Sequence, residues 1–146
     1  MRKTVEVPPE ELQKSLEASA SLMKELEGRG FQYYIESYGC QMNDHDAEKL
    51  SGMLQTCGFS PAPSKEEATL RLFKRFPFVD LVFGTHELHH FPLLLSRTLA
   101  GERVFSVRES DGEIVEGLPV VRGGSFSTFV TIMYGCNNFC SYCIVP

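Results

Sequence analysis

The stretch that decides the fold class runs over residues 31–58 and reads FQYYIESYGCQMNDHDAEKLSGMLQTCG. Phe31 to Ser37 is rich in aromatic and β-branched side chains, which predicts a strand. After a short loop, Asn43 or Asp44 is expected to cap a helix. The apolar face of this helix is predicted to consist of Ala47, Leu50, Leu54 and Cys57. A strand, loop and helix in this order, with Cys40 in the loop, are typical of α/β folds, whose loops carry the ligands.

The flanking sequence predicts further helices and strands. Pro8-Pro9 precede a helical pattern that ends at Gly28 and Gly30, and a second helix is expected from Pro92 to Leu99. The apolar face of the first helix is predicted to consist of Leu12, Leu16, Met23 and Leu26. Further strands are predicted at Val79–Phe83, Arg103–Arg108 and Phe126–Met133, and an interdomain linker at Glu113–Gly124. We expect the first two of these strands to share one sheet with Phe31–Ser37.

Residues 134–143 read YGCNNFCSYC and place Cys136, Cys140 and Cys143 at C-x3-C-x2-C spacing. Three thiolates can hold three irons of a cubane 4Fe-4S cluster and leave the fourth iron open to a substrate or cofactor. The alternatives are zinc, which takes four protein ligands in a structural site, and three buried thiols without a metal. No charged side chain occurs from Gly123 to Pro146, which suits a buried cluster loop. The spacing therefore predicts an iron–sulfur site.

The composition is that of a soluble globular protein, with 146 residues, 42% hydrophobic and 23% charged. A net charge of −5 argues against nucleic-acid binding by this chain itself, so an RNA partner would need a basic surface elsewhere. No apolar run approaches the ~20 residues of a membrane span. Of the five cysteines, three are clustered, which disfavours a disulfide framework and predicts a reducing, cytoplasmic location without membrane contact.

Cys57 and three histidines are the other side chains of a type that can bind metals. Cys57 lies on the predicted core face of its helix and is expected to pack as a small hydrophobe. His86, His89 and His90 form an H-x2-H-H pattern near a predicted helix start and could join Cys40 at a zinc site. A capping and surface role is the favoured interpretation of these histidines.

Two segments resemble the radical SAM (S-adenosylmethionine) methylthiotransferase family. Residues 36–43, ESYGCQMN, resemble the opening motif of the family. Residues 75–85, RFPFVDLVFGT, resemble a later part of the same amino-terminal domain, and the three-cysteine loop follows in the family's order. Residues 41–43 favour the MiaB-type branch, which acts on tRNA, over the branch that modifies a ribosomal protein. The resemblance covers nearly all of the chain from Phe31 on.

This resemblance implies an α/β fold. Its first part is an incomplete amino-terminal methylthiotransferase domain, a parallel sheet flanked by helices. It is followed by the first strand and cluster loop of a radical SAM (β/α) barrel. The implied division of the chain is an amino-terminal helical extension at 1–30, the methylthiotransferase domain at 31–118 with a deletion near 68–74, and the start of the radical SAM domain at 123–146.

The resemblance also implies the cofactors, the site residues and the partners. The cofactors are SAM and two 4Fe-4S clusters. Cys136, Cys140 and Cys143 match the ligands of the radical SAM cluster, Tyr142 matches the aromatic position beside the SAM adenine, and Cys40 matches the first ligand of an auxiliary cluster. The implied reaction adds a methylthio group to C2 of isopentenyladenosine next to the anticodon. The implied partners are the tRNA anticodon stem-loop and a reductant such as flavodoxin or ferredoxin.

The chain departs from the family pattern in one region. The family's two other auxiliary-cluster cysteines are absent, and Ala68 to Phe73 bridge a gap of several dozen family positions. The chain thus resembles an internally deleted and C-terminally truncated member, which is expected to hold at most one cluster and to be inactive alone. The lost strands would leave a sheet edge open to self-association. The alternative function is a non-enzymatic iron–sulfur or zinc-binding interaction module.

Overall fold

The computed structural model describes residues 5–38, 41–69, 80–107, 113–114, 117–121, 126, 128–130 and 141. Three α-helices occur there: α1 (Pro9–Leu26), α2 (Gln41–Thr56) and α3 (Phe91–Leu99). The strands are short: β1 (Val5–Glu6), β2 (Gln32–Tyr33), β3 (Ser60–Pro61), β4 (Leu81–Phe83), β5 (Val104–Ser106) and β6 (Glu113–Ile114). A 3-10 helix at Thr85–His90, here called the histidine turn, leads directly into α3. The helix predicted between Pro8-Pro9 and Gly28 and the helix predicted from Pro92 to Leu99 are therefore confirmed.

The strands form three parallel pairs, β1 with β6, β2 with β3, and β4 with β5. Gln32 is opposite Ser60, and Leu81 is opposite Val104. The expectation of one sheet shared by residues 31–37, 79–83 and 103–108 is wrong for the described residues, since β2 pairs with β3 rather than with β4 or β5. Sequence patterns missed β1, β3 and β6 because two residues carry no measurable alternation. The mixed α/β class with small parallel sheets is confirmed.

Helix α1 buries a different face from the one predicted. Leu22 and Leu26 are in the core, but Leu16 is 60% and Met23 54% exposed. The core stripe continues through Ser15, which is also buried. A pattern search for large apolar residues passes over a small serine, although such a residue allows close approach of a neighbouring helix. The predicted face was therefore wrong for Leu16 and Met23 and right for Leu26.

Helix α2 begins at Gln41, so Asn43 and Asp44 lie within its first turn rather than at its cap. The predicted cap was wrong, yet an acidic residue in the first turn still stabilises the helix through its dipole. The prediction of a buried face is confirmed for Leu50 and Leu54, whereas Ala47 is only half-buried.

The three helices and the strand pairs β2–β3 and β4–β5 share one apolar core. Its members, all buried, include Leu22, Leu26, Tyr33, Leu50, Met53, Leu54, Cys57, Phe59, Leu81, Phe91, Leu95 and Val104. Two aromatic pairs lie at its border, with ring centroids 5.8 Å apart for Phe31 and Phe59 and 5.5 Å apart for Phe83 and Phe91. Among the described helices, none combines the length and apolarity needed to cross a lipid bilayer.

The predicted interdomain linker lies partly on the folded core. It includes β6, and its residues 117–121 lie against α2, where the Val121 N–H donates to the Glu48 carbonyl at 3.2 Å. A Cβ atom on Gly52 would be 2.8 Å from the Val120 nitrogen and closer still to the Pro119 carbonyl. Glycine at position 52 thus permits the contact. Of the predicted strand Phe126–Met133, residues 126 and 128–130 are described and belong to no strand.

Substitution of Gly52 by a larger residue is expected to move residues 117–121 away from helix α2. Replacing glycine by alanine at an exposed helix position raises the stability of the helix by up to about 1 kcal/mol. Overpacking lowers the stability of the protein by about 1–3 kcal/mol. We expect Gly52→Ala to lower the denaturant midpoint or to accelerate exchange of the Val121 amide hydrogen, measured by NMR. Gly84→Ala is the matched control, because its Cβ meets nothing within 4 Å and its φ is −80°. A stabilised Gly52→Ala chain with a protected Val121 amide would contradict the contact.

Candidate functional site

The predicted cluster ligands lie outside the described residues. This holds for Cys40 and for the loop with Cys136, Cys140, Cys143 and Tyr142. Their roles stay predictions. The structure does describe the helix that follows Cys40 in the sequence, since α2 begins at Gln41.

Cys57 is the one cysteine whose surroundings are described. It is fully buried, in the apolar core, just after the end of α2. Burial raises the pKa of its thiol, against hydrogen bonds with Ser19 and Thr56 that lower it. A buried thiol with a raised pKa is a poor thiolate ligand. The prediction that Cys57 packs as a small hydrophobe is confirmed.

A polar cluster joins α1 to the histidine turn. The first turn of α1 supplies Glu11, and the last two residues of the histidine turn supply His89 and His90. Glu11 Oε2 lies 3.5 Å from His89 Nε2 and 3.3 Å from His90 Nε2. One ligand atom from each of the three residues lies within 4.8 Å of the other two. We call these three residues the Glu–His–His cluster.

A second carboxylate lies behind His90. Glu87 Oε2 is 3.2 Å from His90 Nδ1 and accepts a hydrogen bond of 3.1 Å from the Ser106 hydroxyl on β5. When the Glu87 carboxylate is ionised it can only accept, and this contact then requires a proton on His90 Nδ1. Its Nε2 then points its lone pair, or a second proton, towards Glu11. Glu87 therefore orients the ring of His90 so that Nε2 faces Glu11.

His89 has an unusual environment. It is only 2% exposed, and neither of its ring nitrogens has a hydrogen-bond partner among the described residues. Its ring centroid is 3.9 Å from that of His90. Burial, followed by the nearby charge of His90, lowers the pKa of His89, against Glu11 and Glu87, which raise it. His89 is therefore a neutral imidazole at neutral pH.

The favoured surface interpretation of the histidines was wrong for two of them. His86 is exposed, as expected, but His89 is buried and His90 is half-buried. The histidine pattern was visible in the sequence as a candidate for zinc. Glu11 could not be recognised as their partner, because it lies in the first turn of α1, far away in the sequence.

Comparison with known proteins finds one matching family model and several similar proteins. A family model described as "Uncharacterized protein family UPF0004" matches residues 32–84. The "tRNA-2-methylthio-N(6)-dimethylallyladenosine synthase" of Alkaliphilus oremlandii is 36% identical over 99% of this chain and 41% of its own length. The protein of the same name from Clostridium tetani is 37% identical over 78% of this chain and 36% of its own length. The one from Bacillus licheniformis is 35% identical over 82% of this chain and 33% of its own length. No solved structure matches.

The alignments agree with an internal gap. The match to the Alkaliphilus protein extends over 195 residues, whereas this chain has 146. Several dozen positions of the relative therefore have no counterpart here. The chain spans less than half the length of the curated relatives it matches.

The buried thiol gives a direct test of the core. We expect Cys57 to resist alkylation by iodoacetamide in the native chain, because its side chain is fully buried and its pKa is raised. Peptide mapping by mass spectrometry after brief labelling measures this. The same peptide should be fully labelled in denaturant, which serves as the control. Rapid native labelling of Cys57 would show that its helix end opens.

Proposed function

Because the chain belongs to the radical SAM methylthiotransferase family, we propose that it serves tRNA methylthiolation, in which a methylthio group is added to C2 of isopentenyladenosine next to the anticodon. The observation that carries the proposal is the 36% identity over 99% of this chain to a tRNA-2-methylthio-N(6)-dimethylallyladenosine synthase. The three-cysteine loop at 136–143 supports it, since its spacing suits a cluster with an open iron. tRNA, a flavodoxin- or ferredoxin-type reductant and a cytoplasmic location are part of this proposal.

The donor set at the loop fits a 4Fe-4S cluster. Cys136, Cys140 and Cys143 supply three thiolates, and no charged side chain occurs from Gly123 to Pro146 to compete with them. When bound, such a cluster supplies a coordination position for SAM and the electron that cleaves it. We propose that these three thiolates hold the cluster and that Tyr142 lies beside the SAM adenine.

The donor set for the auxiliary cluster does not fit. Outside the loop, the chain has only Cys40 and Cys57. Cys57 is fully buried in the apolar core and cannot serve as a second ligand without unfolding the end of α2. Cys40 alone leaves two positions of the implied ligand set empty. We therefore propose that this chain holds one cluster at most and does not methylthiolate tRNA alone.

Anaerobic reconstitution with iron and sulfide tests the ligand assignment. We expect about four irons per chain, one cubane cluster, and near-complete loss in Cys136→Ala. Cys57→Ala is the control that also removes one thiol, and its iron content should match the parent. About eight irons per chain, or full iron in Cys136→Ala, would contradict the assignment.

A gap-filled fusion tests the function itself. Residues 68–74 are replaced by the longer segment of the Alkaliphilus relative, and the chain is joined to that relative's remaining carboxyl-terminal part. In a host without its own enzyme, we expect methylthio-isopentenyladenosine in tRNA, measured by mass spectrometry of nucleosides. The same fusion without the filled gap, and the filled fusion with Cys136→Ala, should give none. A filled fusion that loads both clusters but forms no product would overturn the proposed function.

A further inference from the structure

We propose that Glu11, His89 and His90 form a binding site for one divalent transition metal ion of the zinc class, which clasps α1 to the histidine turn. The ligands are a carboxylate oxygen and two imidazole nitrogens, the donor set that zinc accepts when one coordination position stays open. No cysteine takes part. The site is therefore chemically separate from the thiolate loop.

The distances suit a tetrahedral ion. With zinc–ligand bonds of about 2.0–2.1 Å, neighbouring ligand atoms of a tetrahedron are about 3.3–3.4 Å apart. Glu11 Oε2 is 3.3 Å from His90 Nε2 and 3.5 Å from His89 Nε2. Two of the three edges between ligands thus already have the length that an ion would impose.

The unsatisfied imidazole of His89 is an independent indication. A polar group that is buried without a partner destabilises the fold. His89 is 2% exposed, and both ring nitrogens have no hydrogen-bond partner among the described residues. Glu11 Oε2, at 3.5 Å from His89 Nε2, lies at ion-pair distance and too far away for a well-formed hydrogen bond. A metal ion between them would give the buried Nε2 of His89 a partner.

The surroundings of His90 match those of a metal ligand. Histidines that bind metals usually donate their other ring N–H to a carboxylate, which fixes the tautomer and orients the ring. Glu87 occupies this position at 3.2 Å from His90 Nδ1, and the Ser106 hydroxyl holds Glu87 in turn. This arrangement leaves His90 Nε2 for the ion.

The cluster lies outside the part of the chain that the family model matches. Glu11 precedes residues 32–84, and His89 and His90 follow them. The inference therefore goes beyond the proposed function and does not depend on it. Without an ion, the same contacts would be a proton-linked pairing of His90 with two carboxylates, which is the alternative that the experiment must separate.

Zinc and cobalt(II) are the probes, and the whole 146-residue chain is used with Cys40, Cys136, Cys140 and Cys143 changed to serine. These changes remove the thiolates that would otherwise bind the metal. We expect one zinc ion per chain in a competition titration with a chromophoric chelator. Cobalt(II) should show ligand-field bands of a low-coordinate site without thiolate charge-transfer bands. Zinc should also raise the unfolding temperature.

Variants assign the site to its ligands. Glu11→Gln keeps the shape of a partly exposed side chain, and we expect at least tenfold weaker zinc binding and loss of the thermal shift. Glu10→Gln and His86→Ala, both at exposed neighbours, should leave affinity and shift unchanged. Glu87→Gln should weaken zinc binding less than Glu11→Gln, because Glu87 only orients His90.

Three results would overturn the proposal. The first is no zinc binding by the folded chain, and the second is binding that Glu11→Gln does not weaken. The third is a loss of stability in Glu11→Gln that is equal with and without zinc, which would identify the cluster as a proton-linked ion pair only.

Discussion

The packing of α1, α2 and α3 around one apolar core is the constraint on which the rest of the structure depends. Phe91, Leu95, Leu54 and Leu22 are almost completely excluded from solvent, and each comes from one of these helices. The strand pairs depend on this core for their stability, because an isolated pair of two- or three-residue strands is not stable in water. In the sequence, β2 and β3 flank α2, and β4 and β5 flank α3, so burial of these helices in the core stabilises both strand pairs.

The Glu–His–His cluster follows from that packing. Helix α1 contacts α3 and the histidine turn, and this contact brings the first turn of α1 to the two histidines. The same core leaves His89 buried at the junction, where solvent cannot satisfy its ring nitrogens. A metal ion bound by the cluster would therefore stabilise an interface between α1 and the histidine turn that apolar packing already forms.

The two metal sites proposed for this chain differ in their position in the sequence and in their donor atoms. The thiolate loop at 136–143 offers sulfur ligands and carries the proposed link to methylthiolation, whereas the cluster offers nitrogen and oxygen. Cys57, the remaining thiol with described surroundings, belongs to neither, since it is part of the core. The incomplete auxiliary set, with Cys40 alone, distinguishes this chain from the pattern that its family resemblance implies.

The sequence by itself determined the local elements and the candidate chemistry. Prolines before α1 and within α3, and glycines after them, marked both helices, because these residues act through their own backbone angles. The spacing of Cys136, Cys140 and Cys143 and the placement of Cys57 on a core face were equally local. Only the tertiary structure decided which face of α1 is buried, which two-residue strands pair, that Gly52 admits residues 117–121, and that Glu11 meets His89 and His90. These features depend on contacts between residues distant in sequence, and no local periodicity or propensity encodes which partner a side chain will find.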